Sequence, residues 1–79
     1  MFMAAVRPEQ IMKILELTDS FNLHREAIVV PLTMEDEGGI ILLPDLRLRI
    51  TVPKNKPFEE WLAELRDKLG EMDLSAVRH

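Results

Sequence analysis

Seventy-nine residues, 47% of them hydrophobic and 30% charged, have the composition of one small globular domain rather than a disordered or fibrous chain. The sequence has no cysteine, which removes disulfides, thiolate metal sites and a cysteine nucleophile. Its net charge of −4 opposes general attraction to nucleic acid or to anionic membrane.

The apolar opening Met1–Val6 is ended by Arg7-Pro8-Glu9, short of a signal-peptide core. A later apolar run, Ile40–Leu43, stops at Pro44, and a membrane helix needs about 20 residues. The expectation is a soluble, cytoplasmic single domain over residues 1–79, with the ends at 1–6 and 71–79 open to fraying.

The first predicted element is a helix over Pro8–Phe21. Pro8 suits the first helical position, and Glu9 opposes the dipole in the first turn. Ile11, Ile14, Leu15, Leu17 and Phe21 form one face, while Glu9 and Lys13 stand at i,i+4 on the other. Ala27–Met34 follows as a strand whose Pro31 cannot donate to a ladder, which marks an edge or a bulge. On that strand Ile28, Val30, Leu32 and Met34 share a face.

Glu35-Asp36-Glu37-Gly38-Gly39 reads as a turn whose glycines are free to take positive φ. Ile40–Leu43 and Leu46–Val52 are further strand segments, with Pro44-Asp45 either a tight turn or a bulge between them. Leu46, Leu48, Ile50 and Val52 face one way; Arg47, Arg49 and Thr51 face the other. Pro57–Leu69 is the last helix. Phe58, Trp61, Leu62, Leu65 and Leu69 make a continuous stripe, Glu64 and Lys68 an i,i+4 pair, and Gly70 a left-handed C-cap. Beyond it lies the tail Glu71–His79, open to fraying, with Leu74 and Val77 as apolar residues able to dock elsewhere.

The fold class is therefore α+β: an N-terminal helix, a small antiparallel sheet of two to three strands, and a C-terminal amphipathic helix packed on it. Two apolar helix stripes against so small a sheet leave apolar surface over, so a homo-oligomer or a partner complex is expected.

Glu35-Asp36-Glu37-Gly38-Gly39, four apolar residues and then Pro44-Asp45-Leu46 resemble the antitoxin domain of HicB-type toxin–antitoxin pairs. The similarity runs over residues 27–69, with Thr51 on the following strand and Glu59-Glu60 opening the helix. It implies a partial RNase-H-like sheet-and-helix domain without catalysis, whose partner is a small basic ribonuclease toxin. The chain departs from that pattern where Arg47-Leu48 replace the usual Pro-Gly and where the helix Pro8–Phe21 is added.

The inventory for catalysis is thin. His24 sits in a connection beside Arg25 and Glu26, and His79 is terminal; Gly38-Gly39 lacks the spacing and the lysine of a phosphate loop. Consecutive Glu35, Asp36 and Glu37 point apart and do not converge on a cation. Neither a cofactor nor a metal is expected, and the chain reads as a non-enzyme.

Arg47 and Arg49 project from one sheet face about 7 Å apart, either as a solvated face with nearby carboxylates or as recognition groups for acidic side chains or phosphates. With Thr51 and Trp61 they are the candidate partner or oligomer interface. The leading function is a protein–protein interaction module of antitoxin or inhibitor type. The alternative is a dimeric DNA-binding regulator using the Arg47/Arg49 strand, which the excess of 14 carboxylates over 10 basic groups disfavours.

Overall fold

The computed structural model describes residues 5–35 and 38–77. Helix α1 (Pro8–Ser20) is followed by a short 3-10 turn at Arg25–Ala27 and by strands β1 (Ile28–Val29), β2 (Gly39–Leu42) and β3 (Leu48–Thr51). Helix α2 (Phe58–Glu71) and a second 3-10 turn at Leu74–Ala76 complete the order. The α+β class is as expected, with both helices present.

Local chemistry sets the ends of α1. Pro8 opens it, and the Gln10 side-chain oxygen accepts a hydrogen bond from the Arg7 N–H at 2.9 Å. At its other end Asn22 takes φ 62°, the Asn22 N–H donates to Asp19 C=O and the Leu23 N–H donates to Thr18 C=O. That is a Schellman closure, with asparagine in the position glycine usually fills and Leu23 buried behind it.

The sheet is mixed, not antiparallel. Its order is β1-β3-β2, with β3 antiparallel to β2 and parallel to β1. Alternation along a strand reports which face a residue takes and says nothing of strand direction.

The expected strand Ala27–Met34 pairs only at Ile28 and Val29. Pro31 has no N–H to give, and the chain leaves the ladder there. Leu32 C=O instead accepts from the Val6 N–H at 2.8 Å, and Ala5 bridges Thr33. Leu32 is consequently 66% exposed, off the face it was expected to share. At Glu35 the chain rejoins, donating to Val52 C=O and accepting from the Lys54 N–H.

Glu35 stands beside Pro53, just past β3, and Gly39 opens β2 on the far edge. Gly38, directly before β2, has φ 61°. A Cβ there would stand 2.7 Å from the Thr51 carbonyl oxygen and 2.8 Å from Pro53, so close approach as well as backbone sign demands glycine.

The β2–β3 connection is a tight turn. The Leu46 N–H donates to Leu43 C=O and the Leu43 N–H to Arg47 C=O, with Leu46 at φ 68°. This is a three-residue hairpin loop ending in a bulge residue in the left-handed region. Leu46 thus belongs to the turn and is exposed, whereas Leu48, Ile50 and Val52 keep the core face and are fully buried.

Those three side chains meet Val6, Ile14, Leu17, Leu23, Ala27, Trp61, Leu65, Leu69 and Val77 in one cluster. Val6 and Val77 carry the packing into both terminal segments expected to fray, and Met72 and Leu74 lie against the same cluster. Residues 1–4 and 78–79, part of the same expectation, lie outside the described residues, as does His79. Helix α2 continues through Gly70 to Glu71, and the Met72 N–H closes it on Lys68 C=O. Gly70 is therefore helical and not a left-handed cap. The helix-interior cost of glycine, about 1 kcal/mol, is offset by burial of Met72, Leu74 and Val77 beyond it.

Two substitutions test this packing. Leu65→Ala empties a site in the middle of the α2 stripe and should lower unfolding free energy by about 2–5 kcal/mol in denaturant melts. A loss under about 0.5 kcal/mol would mean that the stripe does not face the core. Leu46→Gly relieves a left-handed L-residue and should stabilise by about 0.5–1 kcal/mol, raising Tm by about 2–8 °C. A lowered Tm would reject the left-handed assignment.

Candidate functional site

The two arginines selected from the sequence stand in different chemistry. Arg47 directly follows the hairpin loop, in the pair with Leu43 that closes it. Its Nε donates to Asp45 Oδ2 at 2.6 Å, and its backbone N–H donates to Asp45 Oδ1 at 3.2 Å. The guanidinium bond, reinforced by the backbone bond, holds the Asp45 carboxyl below the usual carboxylate range. Arg47 is thereby a turn residue whose charge is already matched.

Arg49 has no such neighbour. It lies in the middle of β3, opposite Ile41 on β2 and Val29 on β1. Leu48 and Ile50 turn into the core, so Arg49 occupies the face away from the helices, in a row with those two aliphatic side chains. Its Nε is buried and finds no hydrogen-bond acceptor. Burying one guanidinium donor without an acceptor is unfavourable, and among the described residues nothing offsets it.

Thr51 and Trp61, the other two candidates, are each 5% exposed. Trp61 is part of the core and packs against Phe58, ring centroids 5.7 Å apart and tilted by 49°. Neither side chain presents surface to a partner.

Besides Leu32 and Met12, the exposed large hydrophobics among the described residues are Ile41, Leu42 and Leu46, at 49%, 43% and 49%. They cluster on β2 and its hairpin turn. Strand β2 is the free edge of the sheet, and the surplus apolar surface expected on the helix stripes appears there instead. Periodicity could not place it, because an apolar run such as Ile40–Leu43 reads the same at a centre as at an edge.

The remaining polar groups are local. His24 is exposed, and its Nδ1 accepts from the Glu26 N–H at 3.3 Å, capping the 3-10 turn. The helices are tied by Lys13 to Glu59, which raises the lysine pKa, and Lys56 reaches Glu64 at 2.9 Å. These longer-range pairs take Lys13 and Glu64 in place of the expected i,i+4 pairings, at little energetic difference for exposed ions.

A groove of about 250 Å³ between α1 and α2 is lined by Lys13, Glu16, Leu17, Ser20, Leu62 and Arg66. Among the described residues no three His, Asp or Glu side chains gather to hold a metal ion. Of the acidic turn only Glu35 is described; Asp36 and Glu37 lie outside. Among the same residues no helix is long and apolar enough to cross a membrane. No protein-family model, curated protein or solved structure matches the chain.

The Asp45–Arg47 contact has a pH signature. The folded-state carboxyl is depressed, so its stabilising contribution is present above the unfolded pKa and is lost as pH falls through the folded value. Arg47→Ala should raise the Asp45 pKa toward the ordinary aspartate range in a carboxyl-carbon NMR titration, the backbone bond from residue 47 remaining. An unchanged Asp45 titration would show that Arg47 is not its cause.

Proposed function

We propose that the chain is a non-enzymatic protein-binding module of antitoxin or inhibitor type, which holds a small protein partner on the helix-free face of its sheet. The observation that carries this reading is Arg49, a cation set between Val29 and Ile41 with a buried, unpartnered Nε. Once the side chain swings outward, a carboxylate on the partner would meet this guanidinium with a charge-assisted, forked hydrogen bond. The −4 net charge adds long-range attraction to a partner that is basic overall, which agrees with the small basic toxin implied by the HicB-type resemblance over residues 27–69. The homo-oligomer expected from the sequence belongs to the same proposal. Nucleic acid is the less supported partner, because Arg47 is engaged by Asp45 and leaves Arg49 without a second cation beside it.

The test is co-expression with the product of the adjacent open reading frame, followed by sedimentation of the pair. A small basic neighbour should form a complex that Arg49→Glu weakens at least tenfold while Arg49→Met keeps the melting temperature of the parent. A complex indifferent to Arg49→Glu would remove Arg49 from the interface. Tight DNA binding that falls steeply with salt and is lost in Arg49→Glu would replace this reading with the regulator.

A further inference from the structure

The two edges of the sheet are treated differently. At β1 the ladder is two residues long, Pro31 ends it, and the N-terminal segment lies alongside through Val6 N–H to Leu32 C=O and the Ala5–Thr33 bridge. At β2 the edge is four residues, Gly39-Ile40-Ile41-Leu42, without charge or proline. An exposed apolar edge of this kind is a template for another strand.

The hairpin fixes which backbone groups are free. The Leu43 N–H bonds to Arg47 C=O, so Leu43–Arg47 is a hydrogen-bonded pair, and Ile41–Arg49 and Gly39–Thr51 follow by alternation. The N–H and C=O groups of Ile40 and Leu42 therefore point out from the free edge.

We infer that β2 pairs antiparallel with β2 of a second copy, joining two three-stranded sheets into one of six strands about a two-fold axis through Ile41. In that register Ile40 of one copy bonds with Leu42 of the other, and Leu42 with Ile40, giving four backbone hydrogen bonds. Every outward group of the edge is used. Ile41 meets its own symmetry mate as a non-hydrogen-bonded pair, the closer of the two spacings, at a Cα separation of about 4.5 Å.

A second copy fits this edge better than a charged partner. Each chain carries −4, but β2 has no charged residue, so two copies meet there without like charges opposed and a charged strand would find no counter-ion on it. The half-exposed Ile41 and Leu42 are covered by the same contact. Four backbone hydrogen bonds and two half-exposed side chains make a contact smaller than the roughly 800 Å² per partner of a standard interface, so the dimer is expected to be weak and concentration-dependent. The interface is separate from the carboxylate site proposed for Arg49 and stands or falls without it.

The sequence has no cysteine, so a single introduced thiol reports one position. Ile41→Cys should form a disulfide-linked dimer under mild oxidation at least tenfold faster than Leu42→Cys or Met12→Cys. The last two are similarly exposed, but Leu42 faces Ile40 of the other copy and Met12 lies on α1. The geometry at residue 41 falls within the Cα range of a disulfide, about 4.4–6.8 Å. Equal rates at the three positions, or a faster Leu42→Cys, would overturn the register. Sedimentation equilibrium of the unsubstituted chain supplies a second reading that needs no variant to fold. A concentration-dependent rise toward twice 9.1 kDa is expected, and a constant monomer mass into the high micromolar range would overturn the dimer itself.

Discussion

Strand β3 is bonded on both sides, to β1 in parallel and to β2 in antiparallel register, and its alternate residues Leu48 and Ile50 are fully buried. Both helices contribute to the cluster around them, Ile14 and Leu17 from α1 and Trp61, Leu65 and Leu69 from α2. Between β1 and β2, Glu35 stands beside Pro53, just past β3, and Gly38 comes directly before β2. Any side chain at Gly38 would strike the Thr51 carbonyl and Pro53. A glycine that alternation assigns to a turn thus stands where backbone passes close against the end of β3. With β3 placed in the middle, Pro31 falls on an edge, where its missing N–H is tolerated, and β2 becomes the other edge.

The helices were legible because their signals are local. Pro8 and Pro57 open the two helices, and the spacing of Ile14–Leu17 and Trp61–Leu65–Leu69 states a period and a buried face within one segment. The inward set Leu48, Ile50 and Val52 was legible for the same reason. What failed was non-local. Parallel pairing of Ile28 with Leu48 joins residues far apart in sequence, and no local pattern encodes it. Gly70 looked like a stop, yet contacts of Met72, Leu74 and Val77 with the distant core carry the helix past it. Leu46 continued the alternation on paper but stands in the left-handed region, where leucine is rare, so the hairpin's geometry overrode its side-chain preference.

The candidate site divides along the same line. Arg47 and Arg49 are equivalent in an alternating strand, and only the turn separates them. Asp45, placed at the hairpin loop, takes the Arg47 backbone N–H and guanidinium together. Arg49, one full pleat further on, is beyond that local chemistry and is flanked by β-branched carbons on both neighbouring strands. Trp61 was legible as a member of the helix stripe, and its stripe membership settles it as core. Sequence spacing placed both arginines on one strand, whereas the difference between a satisfied and an unsatisfied arginine required the positions of three strands at once.

Size explains why the unsatisfied features concentrate on the sheet. A chain of 79 residues has enough helix to cover one face of three short strands and little left for the other. The helix-covered face holds the buried aliphatic cluster; on the other face Thr51 is also buried, Arg49 finds no acceptor for its Nε among the described residues, and the free edge leaves Ile41 and Leu42 about half exposed. These are different kinds of incompleteness. A cation without an acceptor is answered by one carboxylate in one orientation, which favours a specific partner. An uncharged edge is answered by any strand of suitable backbone register, and a second copy supplies it at a concentration equal to the protein's own. Strand pairing at the edge would also bring two Arg49 side chains onto one continuous face, each two strands from the axis. A partner with two suitably spaced carboxylates, or two copies of a partner, would then bind the assembled sheet more tightly than either half, so self-association and recognition would reinforce each other through geometry alone.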